Sequence, residues 1–82
     1  MEKAYVLLNV EMGSESEVRN SLKEIPNVKE VHEIYSVYDL IIYVEAETLK
    51  KLKGLMNRIR DISKIRATLP LVCIEEKRTI LW

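Results

Sequence analysis

The sequence predicts an α+β fold of order βαββαβ: a ferredoxin-like split unit with a four-stranded antiparallel sheet and two helices on one face. Three observations predict it. Two segments repeat apolar residues at the three-and-four spacing of a helix, while four others carry short β-branched and aromatic runs. The second and last strands both carry the marks of sheet edges. Strand–helix–strand crossovers are right-handed, which makes the first and third strands central.

Residues 4–10 form the first strand, with Ala4, Val6, Leu8 and Val10 on one face and Tyr5, Leu7 and Asn9 on the other. Apolar groups on both sides mark an interior strand. After the turn at Glu11, Met12 and Gly13, the run Ser14, Glu15, Ser16, Glu17 reads as a capping box, with two carboxylates at the positive end of a helix dipole. Val18, Leu22 and Ile25 make one buried stripe, and Pro26 ends the helix by excluding helical backbone at Ile25.

Residues 28–35 form a polar strand containing Lys29, Glu30, His32 and Glu33, charges that protect a sheet edge. A tight turn at Ser36, Val37, Tyr38 and Asp39 leads into the third strand, to residue 46, where Leu40, Ile41, Ile42, Tyr43 and Val44 run without polar alternation. Such a strand needs cover on both faces.

A second helix follows Glu47 and Thr48, with Leu49, Leu52, Met56, Ile59 and Ile62 inward and Leu55 beside them. Lys50, Lys51, Lys53, Arg58 and Arg60 face out; Gly54 is expected to admit a close approach by another backbone. Residues 65–74 form the last strand, and Pro70, lacking an amide hydrogen, assigns it to the other edge. Residues 76–82 are a tail whose Ile80, Leu81 and Trp82 are expected to pack on the domain or a partner.

The 82 residues are read as one domain, 1–82. Thirteen basic and thirteen acidic residues leave no net field for nucleic acid, so direct DNA binding is not expected. A single cysteine permits neither an intrachain disulfide nor a cysteine-rich metal cluster. The N-terminus lacks the long apolar core of a signal peptide, and no run approaches a membrane span, so a cytoplasmic protein without membrane contact is expected.

With both helices on one side, the other sheet face needs a partner. That face carries either Tyr5, Leu7, Ile41 and Tyr43 or Leu8, Ile42 and Val44; the first set, more mixed and aromatic, is the expected dimer interface. A two-fold sheet-to-sheet homodimer, a dimeric α+β barrel, is the predicted assembly.

Over residues 4–75 the sequence resembles the effector-binding (RAM) domain of the Lrp/AsnC transcription regulators. The resemblance is carried by the aromatic–Asp–aliphatic run Tyr38, Asp39, Leu40, Ile41, by Pro26, Asn27, Val28 at the helix exit, and by the Thr-containing last strand. The chain departs from the family pattern at Ser36, where Gly is usual, and at Leu69 and Pro70 after Thr68. The resemblance implies a stand-alone effector domain lacking the helix-turn-helix reader, which assembles dimers into tetramers, octamers or rings. It further implies an amino acid or related metabolite bound between dimers near Ser36, Val37, Tyr38 and Asp39 and the last-strand Thr68 and Leu69. A full-length Lrp/AsnC regulator is an implied partner, and no cofactor is implied.

Each site residue has a plainer reading. Asp39 can accept from a ligand ammonium while turn amides and Ser36 hold its carboxylate, or it can bond local amides as turn Asp residues do. Thr68 can supply a hydroxyl or serve as a strand former, and Arg66 is read as a solvated edge charge. His32 is read as a surface histidine and Cys73 as a buried structural thiol. The basic helix face is read as solvated. No catalytic residue or metal ligand set is assigned, and the expected function is non-catalytic sensing and oligomerisation. The rival is a small α+β barrel enzyme of monooxygenase or isomerase type, working near His32; a structural partner with a vestigial pocket is the third reading.

Overall fold

The structure, a computed structural model, describes residues 1–74. Its elements run β1 (Glu2–Val10), α1 (Glu15–Lys23), β2 (Val28–Glu33), β3 (Leu40–Ala46), α2 (Leu49–Arg60) and β4 (Ile65–Val72). The sheet order is β2-β3-β1-β4 with every neighbouring pair antiparallel, so β1 and β3 are central and the two predicted edges are the edges.

Register places alternate residues on opposite faces. Ala4, Val6 and Leu8 of β1 lie opposite Val44, Ile42 and Leu40 of β3, and all six are fully buried beneath the helices. Val18 and Leu22 of α1 and Leu52, Leu55, Met56 and Ile59 of α2 complete this core. Burying one such aliphatic side chain contributes about 1.5–3 kcal/mol. A bulge between Val28 and Glu30 accommodates Lys29 and keeps Val31 turned to the core.

Local signals were mostly realised. Thr48 caps α2 by accepting the Lys51 amide at 3.1 Å. The Ser14 capping box is not formed. Ser14 has φ −104 and ψ 9, not the extended backbone that aims a cap hydroxyl at the first turn, and it makes no side-chain cap bond. Gly13, at φ 85, folds the chain back so that the Ser14 amide donates to Glu11 O at 2.9 Å. That tight turn sets the entry to α1 instead.

Four expectations are corrected in detail. β2 ends at Glu33 and β4 at Val72, each two residues early. The chain between β2 and β3 is a six-residue loop, 34–39, closed by Ile34 N–H donating to Asp39 O at 3.0 Å, and wider than a tight turn. Cys73 is exposed, because it continues the β4 parity that points away from the helices. A side chain at Gly54 would meet nothing within 4 Å, so no backbone of this chain approaches it. The expectation for Ile80, Leu81 and Trp82 lies outside the described residues.

Candidate functional site

Asp39 organises the end of the sheet where the 34–39 loop meets β1. Its amide donates to Leu8 O at 2.9 Å, and its Oδ2 accepts the Val10 amide at 2.9 Å. The carboxylate thus takes the place of a strand carbonyl one step before β3 begins. A part-buried amide left without this acceptor would carry a desolvation cost. The carboxylate's partner, Val10, lies 29 positions away on another strand, beyond any local turn bond.

Beside Asp39 lies an open cleft of about 550 Å³ lined by Glu15, Ser16, Glu33, Ile34, Tyr35 and Asp39. Three of these lining residues, Glu15, Glu33 and Asp39, carry carboxylates, and Arg19 on α1 pairs with Glu33 at 3.3 Å, tying helix to edge strand. The first turn of α1 adds the positive end of its dipole at Glu15 and Ser16. Such a wall offers acceptors for an ammonium and donors for a carboxylate.

Of the loop residues singled out from sequence, only Asp39 lines this cleft; Ser36 and Val37 are exposed and Tyr38 is half-buried beside it in the chain. Thr68 lies opposite Leu8 and so shares the helix side of the sheet, whereas the next residue, Leu69, lies opposite Leu7 on the open face. Thr68 is at the same sheet end as Asp39, but β1 intervenes, which sets the two strands about 10 Å apart. Within one chain the loop and Thr68 do not form one pocket.

Sequence reasoning missed Glu15, Ser16, Glu33, Ile34 and Tyr35 as cleft residues. The topology contained the signal. In an antiparallel pair the end of β1 meets the start of β3, so the turn into α1 and the β2–β3 loop must share one end of the sheet.

The open face is built in rows across the sheet. Leu7 lies between Ile41 and Leu69, and Tyr5 lies between Tyr43 and Leu71. The Tyr5 and Tyr43 rings are tilted at 5.1 Å between centroids. At the β2 edge, Glu30 and His32 continue these rows and bond to each other at 2.9 Å. Tyr43 donates its hydroxyl to Glu45 Oε2 at 2.8 Å. That bond to a carboxylate, followed by desolvation, pushes the Tyr43 phenol up to about 12.

Among the described residues, no group of three or more His, Cys, Asp or Glu side chains is placed to hold a metal, and no helix is long and apolar enough to cross a membrane. Among the described residues, then, the split βαββαβ unit carries a polar cleft at its central loop and one apolar sheet face without cover.

The chain belongs to the Lrp/AsnC family: the Lrp/AsnC ligand binding domain matches residues 3–80. Among curated proteins it is similar to the HTH-type transcriptional regulator FL11 of Pyrococcus horikoshii, 25% identical over 72 residues that cover 88% of this chain and 48% of the relative. The FL11 of Pyrococcus furiosus matches at 24% over the same length. The chain therefore spans about half the length of the curated relatives it matches. Among solved structures it is similar to FFRP-DM1, with TM-score 0.88 and 37% identity over 90% of this chain and all of that one (100%). The hypothetical protein PHS023 from Pyrococcus horikoshii gives 0.87 and 38%, covering 93% of each chain. AsnC of E. coli, at 20% identity and TM-score 0.84, shares the fold over 96% of this chain and 56% of its own. The matched domain is a ligand-binding one, and the curated relatives are transcription regulators.

Proposed function

We propose that this domain is a non-catalytic sensing and assembly module, which binds an amino acid or related metabolite beside the 34–39 loop and couples that binding to its oligomeric state. The observation that carries the reading is the open sheet face. Tyr5, Leu69 and Leu71 are 44%, 40% and 48% exposed there, beside half-buried Leu7, Ile41 and Tyr43. Six large apolar or aromatic side chains in one contiguous patch are rarely left to water. A second copy, applied by a two-fold axis, covers them with the same six. Burial of ~500 Å² of apolar area contributes about 12 kcal/mol before the costs of association.

The effector reading rests on the free valence of the cleft. Asp39 spends one carboxylate oxygen on Val10, and Glu33 is held by Arg19, which leaves acceptors facing the opening. A ligand ammonium fits these acceptors, and its carboxylate fits the amides at the start of α1. Ser36, Val37 and Tyr38 would then meet the ligand from a neighbouring dimer, as would Thr68 and Leu69 of another copy. A ligand shared between dimers shifts assembly by its differential affinity for two arrangements. By the same open face the domain would join a full-length Lrp/AsnC regulator and act on transcription through that partner's DNA-binding domain.

The test is molar mass by light scattering, with and without each of the twenty amino acids. A dimer or multiple of dimers whose mass or melting temperature shifts with particular amino acids is the expected result. A monomer overturns the assembly reading, and an oligomer indifferent to every amino acid overturns the sensing reading.

A further inference from the structure

The two edges of the sheet are covered unequally on the helix side. At the β2 edge, Val28 and Val31 pack against the core. At the β4 edge, α2 leaves Pro70 half-covered and Val72 47% exposed, although both share the helix side with their buried partners Val6 and Ala4. Leu49, at the start of α2, is 55% exposed above the same gap. The result is a groove of about 370 Å³ between α2 and β4, with Leu52, Met56, Pro70 and Val72 as its apolar walls.

The groove has a rim of one sign. Lys53, Asn57 and Arg60 follow one another along α2 at spacings of four and three, so all three face the groove. Among the described residues, no carboxylate pairs with Lys53 or Arg60. Arg60 is oriented rather than free: Nε donates to Thr68 Oγ1 at 3.4 Å and one terminal nitrogen to Asn57 Oδ1 at 3.3 Å. Both acceptors are neutral, so among the described residues the guanidinium is held in place with no carboxylate beside it. From Lys53 to Arg60 the helix rises about 10 Å, the length of an extended medium-chain acyl group.

We propose that this groove is a second ligand site, distinct from the acidic cleft, which takes an amphipathic monocarboxylate with an aliphatic or aromatic chain. The chain lies against Leu49, Met56, Pro70 and Val72, and the carboxylate accepts from Arg60. A planar fork matches a carboxylate better than a point charge does. Free amino acids are selected against, because their ammonium would lie beside Lys53 or Arg60. The site stands whether or not the acidic cleft binds an amino acid.

The probe is sodium octanoate, titrated below its micellar range into methyl-labelled protein and read by NMR. Saturable shifts are expected at the Leu49, Met56 and Val72 methyl groups. Octylammonium, with the same chain and the opposite charge, is expected to leave them unmoved. Arg60→Gln, at an exposed position, should weaken octanoate about tenfold, and Val72→Asp should abolish binding. Glu33→Gln, in the acidic cleft, should change neither. Equal binding of octanoate and octylammonium, no effect of Arg60→Gln, or shifts confined to the open sheet face around Tyr5 and Leu71 would each overturn the proposal.

Discussion

The two faces of the sheet are made from the same strands and differ only by parity, yet they end in opposite states. On the helix side Ala4, Val6, Leu8, Leu40, Ile42 and Val44 are all sealed by α1 and α2. On the other side Tyr5, Leu7, Ile41, Tyr43, Leu69 and Leu71 receive nothing from the described chain. One face has its cover built in. The other is nearly as apolar, with a Tyr pair at its centre and the Glu30–His32 pair at its edge. Among the described residues the two helices cover one face only, and the association proposed above rests on the second.

The sharpest way to break this contrast is to damage the sealed face. Ile42→Ala removes buried methyl groups from the helix side of β3 and should cost about 2–5 kcal/mol, whatever the oligomeric state. Denaturant unfolding at several protein concentrations checks it. A cost under about 0.5 kcal/mol, ordinary for a surface substitution, would mean that the helix side is not the stabilising core.

Leu7→Glu tests the other face. It should leave the helices and strands intact by circular dichroism, convert the assembly to monomers in light scattering, and remove the concentration dependence of the melting temperature. An unchanged molar mass would show that the open face is not where copies meet.

Asp39 links the comparison to the cleft. Asp39→Ala leaves the part-buried Val10 amide without its acceptor and should cost about 1–3 kcal/mol. Faster hydrogen exchange at Val10 would locate the loss. If Val10 exchange is unchanged, the carboxylate is not closing the ladder and its role belongs to a ligand alone.

The smallest effect is a pH dependence of the open face. In the folded chain the bond to the Glu45 carboxylate, followed by desolvation, pushes the Tyr43 phenol up to about 12, above the ~10 of an unperturbed tyrosine. Its neutral form is favoured by folding, so the stabilisation is complete below pH ~10 and is lost as pH rises through about 12. Tyr43→Phe should flatten stability in that window, and ultraviolet titration of the phenol provides the direct check. A phenol titrating near 10 would place the hydroxyl in water, away from Glu45.

Much of the fold was legible because its signals are local. Three-and-four spacing gave α2 its stripe of Leu52, Met56 and Ile59, Pro26 stopped α1, and Pro70 assigned β4 to an edge. Parity reduced the open face to two sets, Tyr5, Leu7, Ile41 and Tyr43 or Leu8, Ile42 and Val44; the mixed, aromatic character of the first pointed to the set that lies away from the helices. The candidate site was legible only at Asp39. Glu15 and Glu33 carried ordinary local explanations, a helix dipole and a protected edge, and neither explanation mentions the other residue.

By itself, then, the sequence determined the order of elements, the edges and the buried stripe, because hydrophobic periodicity and proline chemistry act within a few residues. The tertiary structure decided the rest. It alone set Gly13 rather than the Ser14 hydroxyl as the hinge into α1, turned Cys73 outward, and carried the Asp39 carboxylate to Val10 across 29 positions. It also opened the groove between α2 and β4, with Arg60 oriented by Thr68. The Asp39 bond and the groove depend on how strands pair and helices pack across them, distances between elements that no local pattern encodes.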